Sequence, residues 1–478
     1  MIILIDLYAC TLIWAYDGSV HSRLNDEARR YSKLDLFLKN QLNIQYGVDA
    51  TFKKGRKTKS VIKWLAYGGE AEDFGWLGKY HITTTRAFNH FHDPLKTWDE
   101  ADLDNTITVI YTGNYLRSPV SPIIWGFNPE QQDFAMNVTG DWSWGKAREY
   151  FYTYLTGKDF DGNTVAVTQE ARESAFADCF RAVGHVMHLL EDMSVPLHTR
   201  NDAHVFPLFW FNRWTYETYA KKNINHLDYN PDQPGDLPHP DLLTDPRPES
   251  GHTDLAPVTG LFDRNLYNIG GAIPASDARI GLAEYSNANF LTNDTMFTYQ
   301  HPSLSETNYD AAIWLNPEVV DAQDDEQDNR IYFRKDIDEP IEHLMAAGYW
   351  YYQLFMWNKP ELQYAFIVDE KCFADYADKL IPRAVGYSAA LLDYFFRGDF
   401  DIYTAEIKRN NQKEITGIDI EVKNKSMIGN QSTIEPFENG HIALACQYTP
   451  AGQNQQPVYT LILDNTGSGA IYTINGVV

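Results

Sequence analysis

Residues 188–198 read HLLEDMSVPLH and run directly into TRNDAH, which ends at His204. Three of the chain's 14 histidines, with Asp192 among them, fall within these 17 positions. His188 and Asp192 stand four apart, so on a helix both side chains leave the same face. The residues leading up to them, TQEARESAFADCFRAVGHVMHLLEDM (168–193), repeat apolar side chains at helical spacing and predict one long amphipathic helix. Pro196 predicts the end of that helix, after which His198 and His204 are expected to approach from a loop. Imidazole nitrogens and carboxylate oxygens are the ligands zinc takes where no thiolate is offered. The competing reading of His188 and Asp192 alone is a surface pair with unrelated histidines beyond it.

Other parts of the chain bear on that choice. Upstream, GGEAEDFGWLGKYHITTTRAFNHFHDPL (68–95) supplies Asp73 and His90, with His92 and Asp93 alongside. Near the start lies His21 in SVHSRLNDEA, and downstream RWTYETYA supplies Glu217. The four cysteines, Cys10, Cys179, Cys372 and Cys446, have no paired spacing and indicate neither a disulfide framework nor a thiolate metal knuckle.

In these motifs the chain resembles the zinc-dependent phospholipase C and P1 nuclease superfamily. Its signature, His-x3-Asp-x5-His, is fitted by His188, Asp192 and His198. NHFHDP at 89–94 looks like the family's second motif and places its ligand histidine at His90. The carboxylate upstream falls on Asp73, and the histidine shortly after the mature N-terminus falls on His21. The likeness spans roughly residues 16–220, with three separated motifs in the same order.

The resemblance implies a multi-helix domain holding two to three zinc ions. One ion would be held by Asp73, His90, His188 and Asp192. A second would take His198, a further histidine and an acid. The third would share Asp192 with His21 and the terminal amine and carbonyl of Tyr16. It further implies that Asp73 serves as base toward an attacking water. One departure concerns the last histidine and acid, which the family places four apart on one helix. Arg213 stands four before Glu217 here, so His204 is the substitute histidine, working with Glu217. Arg200 is the nearest candidate for a phosphate clamp, and His185 reads as an ordinary helix histidine.

The chain has 478 residues, 44% hydrophobic and 14% aromatic, enough for a large core and long enough for more than one domain. Its formal charge of −25 repels nucleic acid at long range and leaves no basic stripe to track phosphates. Residues 1–15 read as a signal peptide, although Asp6 interrupts the apolar run; LYAC at 7–10 offers a lipoprotein alternative at Cys10, which would remove the Tyr16 amine. A secreted, periplasmic or cell-surface protein is expected. Residues 16–398 are expected to form a mainly helical domain, with further helices at 339–357 and 380–400. Residues 224–340 read as an irregular acidic insertion, in which GLAEYSNANFLTND (281–294) reads as ordinary packing rather than pocket lining. From 399 to 478, short β-type runs separated by Gly, Asn and Ser predict a small all-β, sandwich-like domain.

The function expected from the resemblance is a zinc-dependent phosphodiester hydrolase. A phospholipase C is favoured, meeting phospholipid or another phosphodiester with peripheral contact to a membrane surface. A single-strand nuclease or nucleotidase, or a non-catalytic zinc-containing surface-binding protein, is the alternative; the charge disfavours long nucleic acids.

Overall fold

The computed structural model describes residues 18–73, 86–103, 119–128, 131–132, 141–202, 215–225, 252, 255–267, 280–293, 295–296, 318–320, 330–336, 339–348, 366–413, 415–425, 440–448, 458–467 and 471–476. The expected leader, Tyr16 and His204 lie outside these residues.

Helix α1 (Gly18–Tyr31) buries Val20, His21, Leu24 and Ala28, residues three or four apart that form one stripe. LNDEARRYSKLDLFLKNQL (24–42) has apolar residues at helical spacing and predicts one helix, but it breaks here. The Ser32 hydroxyl donates to the Arg29 carbonyl at 3.0 Å, drawing off a helix-end acceptor, and a second helix, α2 (Leu34–Asn40), starts afresh. The next stretch, expected to be helical, contains a hairpin, β1 (Thr51–Lys54) with β2 (Lys57–Ser60). Gly55 opens its two-residue loop at φ +57°, a conformation that hairpin loops favour and glycine adopts freely.

Helix α3 (Val61–Asp73) follows, then α4 (Pro122–Phe127), α5 (Trp144–Thr156) and α6 (Gln169–Asp192). Helix α6 has nearly the bounds its periodicity predicts. Pro196 does not merely stop it: Pro196 sits in the first turn of a one-turn helix, α7 (Pro196–Thr199), where its missing N–H costs nothing. His198 is therefore on a helix, not a loop. Helix α8 (Tyr216–Asn223) starts at Thr215, whose hydroxyl accepts from the Thr218 N–H at 3.2 Å.

Within 224–340 the described residues include a short 3-10 turn, Pro257–Leu261, and a buried helix, α9 (Leu282–Asn289). They also include strands β3 (Glu318–Val320) and β4 (Arg330–Lys335). The helix expected from 339 is overturned over its described part: Ile341–Gly348 is a strand, β5, paired antiparallel with β4 and with β6 (Phe366–Ile367). Its Leu, Met and Ala favour helix locally, but pairing on both sides decides the backbone. The last helix, α10 (Glu370–Phe395), is long and contains Pro382. Strands β7 (Phe400–Arg409), β8 (Ile415–Asn424), β9 (Gly440–Tyr448), β10 (Val458–Gly467) and β11 (Ile471–Gly476) follow, in antiparallel sheets ordered β11-β8-β7 and β10-β9.

The protein is thus mainly α with a smaller antiparallel β part. Two compact units emerge, one from Met1–Ser32, Leu65–Trp144 and Val183–Leu391, the other from Lys33–Trp64, Gly145–Ala182 and Leu392–Val478. The second unit has an aromatic core in which Tyr154 stacks on Phe176 at 4.0 Å and Phe396 meets Phe37, Phe151 and Phe180. Every described candidate ligand lies in the first. Among the described residues no helix is long and apolar enough to cross a membrane.

Candidate metal centre

Glycines let the helices of the site approach closely. A Cβ on Gly184 of α6 would collide with the Leu65 carbonyl of α3, and one on Gly69 of α3 would lie 2.5 Å from Asn25 Nδ2 of α1. These two contacts bring His21, Asp73, His188 and Asp192 together although they come from three helices. His90 closes a 3-10 turn, Ala87–His90, and the chain after it pairs with α7: the His92 N–H donates to the His198 carbonyl at 3.1 Å.

The structure brings together His21, Asp73, His90, His188, Asp192, His198 and Glu217, all of them buried. Asp192 is the hub. Its oxygens lie 3.3 Å from His21 Nε2, 2.9 Å from His90 Nδ1, 3.2 Å from His188 Nε2 and 3.7 Å from His198 Nδ1. Asp73 Oδ1 lies 3.7 Å from His90 Nδ1 and 3.5 Å from His188 Nε2. His198 Nε2 lies 3.2 Å from Glu217 Oε1. Two groups have ligand atoms close enough to share one ion: His21, His188 and Asp192, and Asp73, His90 and His188.

The histidines are anchored from outside. His188 Nδ1 donates to the Gly69 carbonyl at 2.7 Å and His198 Nδ1 to the His90 carbonyl at 3.1 Å. His21 Nδ1 is 2.7 Å from Glu191 Oε2. Each outer nitrogen that holds the ring leaves the inner one as a lone pair facing carboxylates, the arrangement metal-bound imidazoles adopt.

The electrostatics suit a bound cation. Four buried acids, Glu72, Asp73, Glu191 and Asp192, have among the described residues one permanently charged partner, Arg86, whose guanidinium grips Glu72 at 2.6 Å and 3.0 Å. Burial pushes Asp73 up to about 7, against the pull of His188 and His90. Burial also opposes charge on His90, yet Asp192, Glu72 and Asp73 outweigh it and hold that ring at about 10. Burial and the neighbouring His188 drive His21 down to about 3, so it stays neutral. Despite burial, His188, His198 and His90 keep Asp192 well below the usual carboxylate range. Neither oxygen of Asp73 or of Asp192 accepts a hydrogen bond of ordinary geometry among the described residues. Buried carboxylate oxygens in that condition are costly unless a cation pairs with them, the raised His90 ring in the metal-free chain or a metal ion in its place.

Other residues have different places. Arg200 is no phosphate clamp: it is buried and donates to Thr295 Oγ1 at 2.9 Å and the Asn287 carbonyl at 2.8 Å. Helix α9 is packing, with Asn287 Nδ2 donating to the Thr199 carbonyl at 2.6 Å. His92 turns away from the cluster, between Ser121 Oγ at 2.9 Å and Asp263 Oδ2 at 3.0 Å.

Sequence reasoning missed Glu72, Arg86 and Glu191, and undervalued His185. Glu72 takes Arg86, His185 Nδ1 and, at 2.8 Å, the Trp125 indole N–H, with His90 Nε2 at 3.8 Å from its Oε1. Glu72 and Glu191 share one sequence feature, a Glu–Asp pair at a helix end in EAED and LLED, which by itself reads as a solvated end. Compared with protein-family models, curated proteins and solved structures, the chain matches none.

Proposed function

We propose that the protein is a zinc-dependent phosphodiester hydrolase of the phospholipase C and P1 nuclease type, exported from the cell and acting on phospholipid. The observation that carries this reading is the convergence of the three motifs on one buried cluster of inward-facing imidazole and carboxylate atoms. Zinc suits the donor set, which is nitrogen and oxygen without thiolate. Asp73, His90, His188 and Asp192 would hold one ion, His198 and Glu217 a second with His204, and His21 with Asp192 and Tyr16 a third. Bound zinc supplies charge neutralisation for the phosphodiester and lowers the pKa of a coordinated water.

The chain's own residues do the rest. His21, His188 and His198 keep their lone pairs inward because their outer nitrogens are occupied. Asp73, a buried carboxylate of the cluster, would take the proton of the attacking water. The buried walls exclude bulk water, so these charges act at short range and low dielectric. The β-strands beyond Asp399 form the sandwich-like domain of this reading, and their role is attachment to the substrate surface.

The test is turnover of a phosphatidylcholine analogue and of single-stranded DNA by the zinc-loaded protein and its chelated form. Zinc-dependent release of phosphocholine is expected, with Asp73→Asn reducing kcat about 10²–10⁴-fold. Cleavage of DNA alone would move the assignment to a nuclease. No turnover of either substrate by a fully zinc-loaded chain would favour the non-catalytic, surface-binding reading.

A further inference from the structure

Two helices of the site end in the same dipeptide, Glu72–Asp73 in α3 and Glu191–Asp192 in α6. Consecutive side chains on a helix point roughly 100° apart, so the aspartate and the glutamate of each pair face different neighbours. Asp192 faces the four histidines. Glu191 faces the back of one of them.

Glu191 is wholly buried and both its oxygens are engaged: Oε2 lies 2.7 Å from His21 Nδ1, and Oε1 accepts from the Ser388 hydroxyl of α10 at 3.2 Å. Three helices, α1, α6 and α10, therefore meet at one carboxylate. By contrast, both oxygens of Asp192 are open toward the cluster. Glu191 is built as a support and Asp192 as a ligand.

We propose that Glu191, held by Ser388, is the positioning residue for a metal ion at the His21–His188–Asp192 group. With the Nδ1 proton donated to Glu191, His21 presents Nε2 as a lone pair 3.3 Å from Asp192 Oδ1. His188 and His198 have the same service from backbone carbonyls, which bring no charge. At His21 a buried side chain does it, one that substitution can alter as a backbone carbonyl cannot be. The metal position at His21 should therefore respond to substitution of a side chain outside the ligand set. This inference rests on the metal reading above and adds a residue that the motif resemblance does not supply.

The experiment uses the full chain stripped with a chelator and titrated with zinc against a chromophoric competitor, with parallel titration by cobalt(II). Glu191→Gln is expected to weaken one equivalent of zinc by about 10–100-fold and leave the others unchanged. The visible cobalt band of that equivalent should shift or lose intensity. Ser388→Ala should weaken the same equivalent by less, and it serves if Glu191→Gln does not fold. Wild-type affinity and cobalt spectrum in both variants would overturn the proposal. So would a uniform weakening of every equivalent together with a lower melting temperature of the metal-free protein, which marks a purely structural role. A wild-type chain that binds no zinc would instead overturn the metal reading itself.

Discussion

His90 Nδ1 lies 2.9 Å from Asp192 Oδ2, and the same carboxylate is within 3.7 Å of His21, His188 and His198. A single buried carboxylate thus serves four imidazoles from α1, the 3-10 turn, α6 and α7. Asp192→Asn keeps the volume and removes the charge. It should lose more bound zinc than alanine at any one of the four histidines, because two ions would share it. Breaking a buried charge pair is destabilising by about 3–5 kcal/mol, so the metal-free variant should also melt earlier. Metal analysis after dialysis, with a denaturation curve, checks both; wild-type zinc content in Asp192→Asn would contradict the hub.

Acidity gives a second prediction, with a sign. Asp73 is raised by burial from 3.8 to about 7 in the folded chain. A carboxyl raised in this way contributes stability that is present below 3.8 and lost as pH rises through about 7. His90, raised from 6.5 to about 10 chiefly by Asp192 against its own burial, contributes stability lost as pH rises through about 10. Zinc requires the carboxylate and the neutral ring, so binding should release protons. The release should fall as pH passes 7 yet persist above it, because His90 still gives one up. Calorimetry in buffers of different ionisation enthalpy measures it; binding without proton release near neutrality would contradict the site.

Helix contact is tested at Gly184. Since a Cβ there meets the Leu65 backbone, Gly184→Ala should force α6 away from α3. A loss of roughly 1–3 kcal/mol is expected from overpacking, accompanied by weaker zinc binding. Chemical denaturation and a zinc titration read the two effects. Unchanged values in both would show that the approach of these helices is not what sets the site.

Much of this centre was legible in the sequence because ligands must recur at fixed spacings. The i, i+4 placement of His188 and Asp192 on an apolar-periodic helix survives in the structure, as does the association with Asp73, His90 and His21. Glu72 and Glu191 were not legible, since an acid beside an acid reads as a solvated helix end until a buried histidine is found behind it. The strand Ile341–Gly348 was misread for a different reason: its residues favour helix, and only β4 and β6 on either side specify extended backbone. The hairpin at Thr51–Ser60, rich in lysine, carried one cue, the Gly55 between its two strands.

Whether these buried side chains form a zinc centre is decided by the zinc content of the full chain after chelation and reconstitution. Two to three zinc ions per chain are predicted, held tightly enough to survive gel filtration. Less than one equivalent after reconstitution would show that this cluster is not a zinc centre.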